Sequence, residues 1–365
     1  MKPRVLFVSR ERFRLPLDET QMRKWSAVGE LLDFHILAAA QPGSPLRSDR
    51  MELGSPHAAL DGPRYYLELP IRIARALRTI RPEAAVVQGV HEASAFLVAR
   101  SVTRARTKLV LDVQGDWHEA TRLYGSPARS LLNPLNDALG VLAVRRADAV
   151  RTLSPFTTAT VRKLGVEPAG EFAPFMDRAA FIGPPAALPE PPRALFVGVL
   201  ERYKGFDTLA DAWPRVQAVL PEARLHIVGR GTLAPLAQRL ADDGVAWTER
   251  LDASGVADAM DGATLLCLPS RAEGLGRVVI EAMLRGRGVV GGNAGGIPDL
   301  VDDGVDGLLV EVGNPKRLAD ALIRVLGDPD FAKRLGAAAR RKGEDLSVTP
   351  EQYAAKVAAL IAGLP

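Results

Sequence analysis

Residues 264–284 read TLLCLPSRAEGLGRVVIEAML, the pattern of an apolar strand, a glycine-broken turn and a helix. Thr264 to Leu268 is an apolar run of strand length stopped by Pro269 and Ser270. Gly274 and Gly276 then permit a tight turn, and a helical pattern begins near Arg277. The start of that helix has a chemical use. Its first N–H groups are unpaired and lie at the positive end of the helix dipole, which suits an anionic group such as a diphosphate. The backbone of Gly274, Leu275 and Gly276 is therefore a candidate anion cradle, with Arg277 beside it. Glu273 stands at the mouth of the turn and Glu281 one turn into the helix. Carboxylates accept hydrogen bonds, so both suit a hydroxyl-rich ligand such as a sugar or a ribose. The plainer alternative is a βα turn with one surface glutamate and a second favoured by the dipole.

Outward from this stretch the same unit recurs on both sides. VLFVS, FHILAA, AAVVQG, KLVLDVQG and AVRTLS are short apolar runs separated by helical stretches. ALFVGV, RLHIVG, TLLCLPS, GVVGGN and GLLV form a second set. Such alternation predicts parallel α/β sheets covered on both faces. Between the sets, GPPAALPEPPR cannot continue a helix or a central strand, because proline lacks the N–H donor and restricts its neighbour. We divide the chain into a first Rossmann-like domain, 1–183, a proline-rich linker, 184–193, a second Rossmann-like domain, 194–349, and a C-terminal helix, 350–365.

A chain of 365 residues is comfortable for two domains, and 47% hydrophobic with 25% charged residues is a globular balance. The apolar run at the N-terminus is too short for a signal-peptide core, no segment is long enough to span a membrane, and the lone Cys267 cannot form an intrachain disulfide. A cytoplasmic setting is expected. Charge is uneven: residues 1–185 carry 26 Lys and Arg against 19 Asp and Glu. Arg72, Arg75, Arg78 and Arg81 are spaced by three on a predicted helix, which predicts a basic strip. Such a strip suits anionic lipid headgroups at the inner membrane face, or a phosphorylated acceptor; a solvated helix face is the plain alternative. The strip lacks interleaved aromatics, which argues against nucleic acid. His35, His57, His91, His118 and His226 show no ligand spacing, and the one D-x-D, Asp328 to Asp330, lies away from any strand end.

EGLGRVVIE resembles the E-x7-E signature of the family-four (group 1) retaining glycosyltransferases. LFVGVLERYKGFDTL (195–209), RLHIVGRG (224–231), GGIPDLV (295–301) and VDGLLV (305–310) are similar to further motifs of that family in the same order. The resemblance covers the C-terminal half and is looser before it. It implies the GT-B architecture, two facing Rossmann-like domains with a ligand cleft between them, and a tail helix returning to the first domain. It further implies transfer of a hexose-type sugar from a UDP- or GDP-sugar to an acceptor hydroxyl on a glycan, a lipid or a small molecule, with no cofactor and no divalent metal. By the same resemblance Lys204 and the Gly274–Gly276 amides meet the diphosphate, Glu281 the ribose and Glu273 the sugar.

The chain departs from the family at several positions. An arginine usually follows the glycine matching Gly198, and Val199 stands there; Arg202, Arg230 and Arg277 are the candidate replacements, Arg202 first because it shares the loop with Lys204. A histidine usually occupies the turn after KLVLDV, where this chain has Gln114, followed by Asp116, Trp117, His118 and Glu119. Gln114 and Asp116 are the candidate contacts to sugar or acceptor, unless Trp117 packs and its neighbours cap a helix. Ser9, Arg10, Glu11 and Arg12 replace the usual glycine pair after the first strand. A first rival reading is that Gly229, Arg230, Gly231 and Ala234 fit G-x-G-x-x-A with Glu249 downstream, as in an NAD- or FAD-dependent oxidoreductase. That reading leaves Glu273 and Glu281 without a task. A non-catalytic relative of the same frame is a second rival, resting on Val199.

Overall fold

The computed structural model describes residues 2–55, 61–118, 127–346 and 348–365. His57 and Glu119 fall outside these ranges. Two compact units are present. The first takes the chain up to His118, resumes over Leu131–Phe175 and recovers Val348–Pro365; the second holds Met176–Ser347.

In the first unit the order is β1 (Arg4–Phe13), α1 (Glu19–Leu31), β2 (Asp33–Ala40), β3 (Arg47–Ser48), β4 (Met51–Gly54), α2 (Asp61–Thr79), β5 (Ala84–Gln88), α3 (Val90–Thr103), β6 (Lys108–Val113), α4 (Pro127–Arg146), β7 (Ala149–Thr152), α5 (Pro155–Arg162) and β8 (Gly170–Glu171). The sheet runs β3-β4-β2-β1-β5-β6-β7-β8, parallel except for the β3–β4 pair. Alternation along β1 explains both faces. Val5 and Phe7 enter one core with Trp25, Phe34 and Phe172, while Leu6 and Val8 enter another with Leu69, Ile73 and Phe96. Where a glycine pair was missing, β1 runs on through Ser9 to Phe13 with a register shift between Val8 and Arg12.

The second unit contains β9 (Arg193–Val197), α6 (Phe206–Val219), β10 (Arg224–Val228), α7 (Ala234–Asp242), β11 (Ala246–Thr248), α8 (Ala253–Asp261), β12 (Leu265–Leu268), α9 (Arg277–Leu284), β13 (Gly288–Gly292), β14 (Gly307–Val310), α10 (Pro315–Leu326) and α11 (Pro329–Leu346). Its parallel sheet has the order β11-β10-β9-β12-β13-β14. Counted from β9 this is 3-2-1-4-5-6, the doubly wound order in which connections reverse direction between the first and fourth strands. The proline-rich break is tied to this unit, since Arg287, 2% exposed, donates 3.0 Å to the Ala186 carbonyl and 2.9 Å to that of Asp261. Asp328 accepts from the Phe331 N–H at 2.9 Å and so caps α11, which accounts for the D-x-D.

The last helix, α12 (Pro350–Ala362), belongs to the first unit. Thr349 and Gln352 form a capping box at its start. Tyr353, Ala354, Val357, Leu360 and Ile361 make a single apolar stripe that joins the core of Val5, Phe7 and Trp25. Arg151 lies in the same core. It donates 2.6 Å to Asp112 and 2.8 Å to the Phe172 carbonyl, with its guanidinium 4.2 Å from the Phe172 ring. Burial raises the Asp112 carboxyl pKa even against that cation.

The expected basic strip is corrected. Arg72 turns inward, donating 2.7 Å to the Glu52 carbonyl and reaching the Ala38 carbonyl and the Glu52 carboxylate at 3.3 Å. It satisfies backbone acceptors of β2 and β4 that α2 covers. Arg81 stands past the helix end with φ at +50°. On the helix face Arg75 and Arg78 remain. Among the described residues no helix is long and apolar enough to cross a membrane.

Candidate functional site

The reversal between β9 and β12 opens a crevice at the carboxyl ends of those strands, where ligands of doubly wound sheets bind. Two loops rim it. The loop from β9 carries Gly198, then one 3-10 turn, Arg202–Lys204, before α6. Gly205 closes the turn at φ +67°, and a Cβ there would come within 2.0 Å of the Pro269 carbonyl oxygen, so glycine is required. The loop from β12 carries Glu273 and ends at Gly276, also left-handed, from which α9 starts with no side-chain cap.

Lys204 and Glu273, 69 residues apart, form an ion pair across the rim, each with 15% of its side chain exposed. This single contact joins the two residues on which the sequence reading placed most chemistry. Leu275 is 7% exposed, so its side chain packs inward. Glu281 is largely buried, and burial raises its carboxyl pKa above the ordinary range; Arg277, one turn earlier, works in the opposite direction. Arg202 and Arg230 are exposed, and neither guanidinium has a partner among the described residues.

Two residues missed in the sequence hold the rim together. The Arg271 guanidinium donates to Asp207 at 2.6 and 3.0 Å, to the Thr208 hydroxyl at 2.9 Å and to the Arg202 carbonyl. Its backbone N–H donates 2.7 Å to the Tyr203 carbonyl. Arg271 therefore fastens the β12 loop to the turn that carries Lys204. Glu201, 9% exposed, accepts from the Thr232 N–H at 2.9 Å and its hydroxyl at 2.6 Å, tying the same turn to the loop after β10. A charged residue inside the small-residue run SRAEG was the available signal for Arg271; its partner Asp207 lies 64 residues upstream.

The rival G-x-G-x-x-A receives a packing explanation. It follows β10, which does not border the reversal. Gly229 has φ +154°, and a Cβ there would sit 1.8 Å from the Gly198 carbonyl oxygen. Glycine at 229 thus lets the two loops touch, and Glu249 is exposed beyond β11.

In the first unit the polar cluster follows β6. Gln114 is half-buried directly past the end of β6 (Lys108–Val113). Asp116 accepts from the His118 backbone N–H at 2.8 Å and contacts its Nδ1 at 3.0 Å, and Trp117 is 8% exposed. Asp116 therefore caps the turn that begins at Trp117. A buried acid unforeseen in the sequence lies at the reversal of this sheet: Glu92 in the first turn of α3, 5% exposed, accepts 2.9 Å from the Tyr66 hydroxyl, and burial raises its pKa.

Comparison with solved structures gives the same architecture. The chain matches sucrose-phosphate synthase from Thermosynechococcus elongatus with a TM-score of 0.78 at 19% identity, over 100% of this chain and 99% of that one. An Anabaena protein crystallised with UDP and glucose matches with a TM-score of 0.73 at 17% identity, over 99% of both. The class is thus the GT-B glycosyltransferase fold. Residues 191–328 match the glycosyl transferases group 1 family, and residues 26–172 the glycosyl transferase 4-like domain. The chain is 30% identical over 267 residues, 67% of each chain, to a GDP-mannose-dependent alpha-(1-6)-phosphatidylinositol monomannoside mannosyltransferase of Mycobacterium tuberculosis. A monoacylated-substrate counterpart from Corynebacterium glutamicum is 36% identical over 147 residues, and that match spans 38% of its length. The chain belongs to the group 1 glycosyltransferases.

Proposed function

We propose that the protein transfers a hexose-type sugar, with retention of anomeric configuration, from a UDP- or GDP-sugar to an acceptor hydroxyl. The observation that carries this reading is the Lys204–Glu273 pair beside the uncapped start of α9 (Arg277–Leu284). A cation, a carboxylate and a helix start without a side-chain cap in one crevice suit a sugar diphosphate. The GDP-mannose dependence named for the mycobacterial relative and the UDP and glucose held by the Anabaena protein support the same donor class.

In this scheme the diphosphate draws Lys204 to its oxygens, and the α9 amides take the rest of its charge. Arg202 and Arg230, whose guanidinium groups have no partner among the described residues, compensate for the missing arginine at Val199. Glu273, released from Lys204, accepts from sugar hydroxyls, and Glu281 accepts from the ribose. The C1–O bond to the diphosphate breaks, the acceptor oxygen bonds C1 on the same face, and its proton passes to the departing diphosphate oxygen.

The test is calorimetric binding of UDP, GDP, ADP and NAD, followed by proton NMR of donor turnover for the anomeric outcome. UDP or GDP binding with a retained product supports the reading. Binding of NAD alone overturns it, and an inverted product overturns the front-face step.

A further inference from the structure

Three of the most exposed large apolar side chains of the described residues lie together: Leu67 at 76%, Val102 at 68% and Ile71 at 65%, with Val98 at 56% beside them. All stand on α2 (Asp61–Thr79) and α3 (Val90–Thr103), which pack side by side. A shallow groove of about 470 Å³ runs between them over Pro70, Ile71, Ala74, Val98 and Val102, with Arg75 and Arg78 on its rim. At about 100° per residue, Leu67, Arg75 and Arg78 fall within about 40° of Ile71 on the helix wheel, so the arginines share the apolar face.

Among the described residues, no acidic side chain lines the groove. Glu68 on the neighbouring turn is matched by Arg64 at 2.7 Å, so it does not offset the other two arginines. The guanidinium groups of Arg75 and Arg78 have no partner among the described residues. Contiguous apolar exposure edged by these cations is complementary to an anionic surface with hydrocarbon beneath it. We propose that the outward face of α2 and α3 docks on the headgroup layer of an anionic lipid membrane. Leu67, Ile71, Val98 and Val102 enter the acyl boundary, and Arg75 and Arg78 meet lipid phosphates. A free phosphorylated solute would use the arginines and leave the four apolar side chains without a role. The proposal is independent of the donor chemistry, which vesicle binding does not read.

Co-sedimentation of the full chain with phosphatidylcholine vesicles, with and without about one third phosphatidylglycerol, tests it. Binding to the anionic vesicles and its loss at high salt are expected. Replacing Arg75 and Arg78 together by Glu should weaken partitioning about 25-fold or more, since each arginine near such a surface contributes about fivefold. Ile71→Ser with Val98→Ser should weaken it about tenfold or more by removing apolar area. Val219→Ser, a site 56% exposed on the second unit, should leave binding unchanged. The proposal is overturned if the wild type ignores anionic vesicles, if all three variants bind alike, or if ultracentrifugation shows a dimer that Ile71→Ser dissociates.

Discussion

Lys204 and Glu273 neutralise each other in a partly dry rim, so removing either acts on more than charge toward a ligand. Lys204→Ala leaves the Glu273 carboxylate without its cation and should lower turnover about a hundredfold or more, as loss of one transition-state electrostatic partner does. Steady-state kinetics check this, and near wild-type transfer would displace the diphosphate from Lys204. Glu273→Gln keeps an acceptor for Lys204 and should lower kcat while nucleotide diphosphate affinity holds. Glu281 reports through pH. Its carboxyl pKa is raised by burial, so the folded chain holds that proton more tightly than the unfolded one. Ionising Glu281 therefore costs stability: the cost is absent below the unfolded-state pKa and complete above the raised one. Glu281→Gln should raise Tm at neutral pH, with the gap closing on acidification. Nucleotide affinity of the wild type should fall as pH drops through that raised pKa, and the variant should be weaker and flat. A pH-independent wild type would remove Glu281 from the ribose.

At the scale of elements, the rim depends on loops held from outside the crevice. Arg271 reaches both oxygens of Asp207, in the first turn of α6 (Phe206–Val219), and an ammonium cannot reproduce that fork. Arg271→Lys should raise donor KM more than it lowers thermal stability. Arg271→Ala combined with Asp207→Ala should show a coupling of about 1–3 kcal/mol in a double-mutant cycle. Additive losses would mean that the two side chains act separately. Local pattern carried much of the frame: the apolar runs from VLFVS to GLLV are all strands, and Arg277 begins a helix as its glycine turn required. β3, β4, β8 and β11, of two to four residues, hold too few side chains to show a period. Arg72 escaped because its acceptors are backbone carbonyls brought under α2 (Asp61–Thr79) by sheet pairing, which no helical spacing records. Resemblance put Lys204 on the diphosphate and Glu273 on the sugar of one donor, but their ion pair was not foreseen, since 69 residues separate the partners.

At the scale of the molecule, both sheets reverse beside their first strand, and the residues proposed to hold the donor cluster at the second reversal. Nucleotide diphosphate at a hundredfold excess over Kd should add about 2.7 kcal/mol to the stability of whatever binds it. Amide exchange with and without UDP or GDP should show slowing around 198–206 and 271–284, with β7 (Ala149–Thr152) unchanged. Protection centred on 229–250 would restore the dinucleotide reading. The helix α12 (Pro350–Ala362) sets a separate timetable. Its apolar stripe completes the core of the first unit, yet it follows Met176–Ser347 in the chain. During synthesis the ribosome delivers every strand of the first sheet well before the helix that covers Trp25 and Phe172. The second unit can consolidate while the first still shows a greasy face to chaperones, so the part made earliest is the part sealed last.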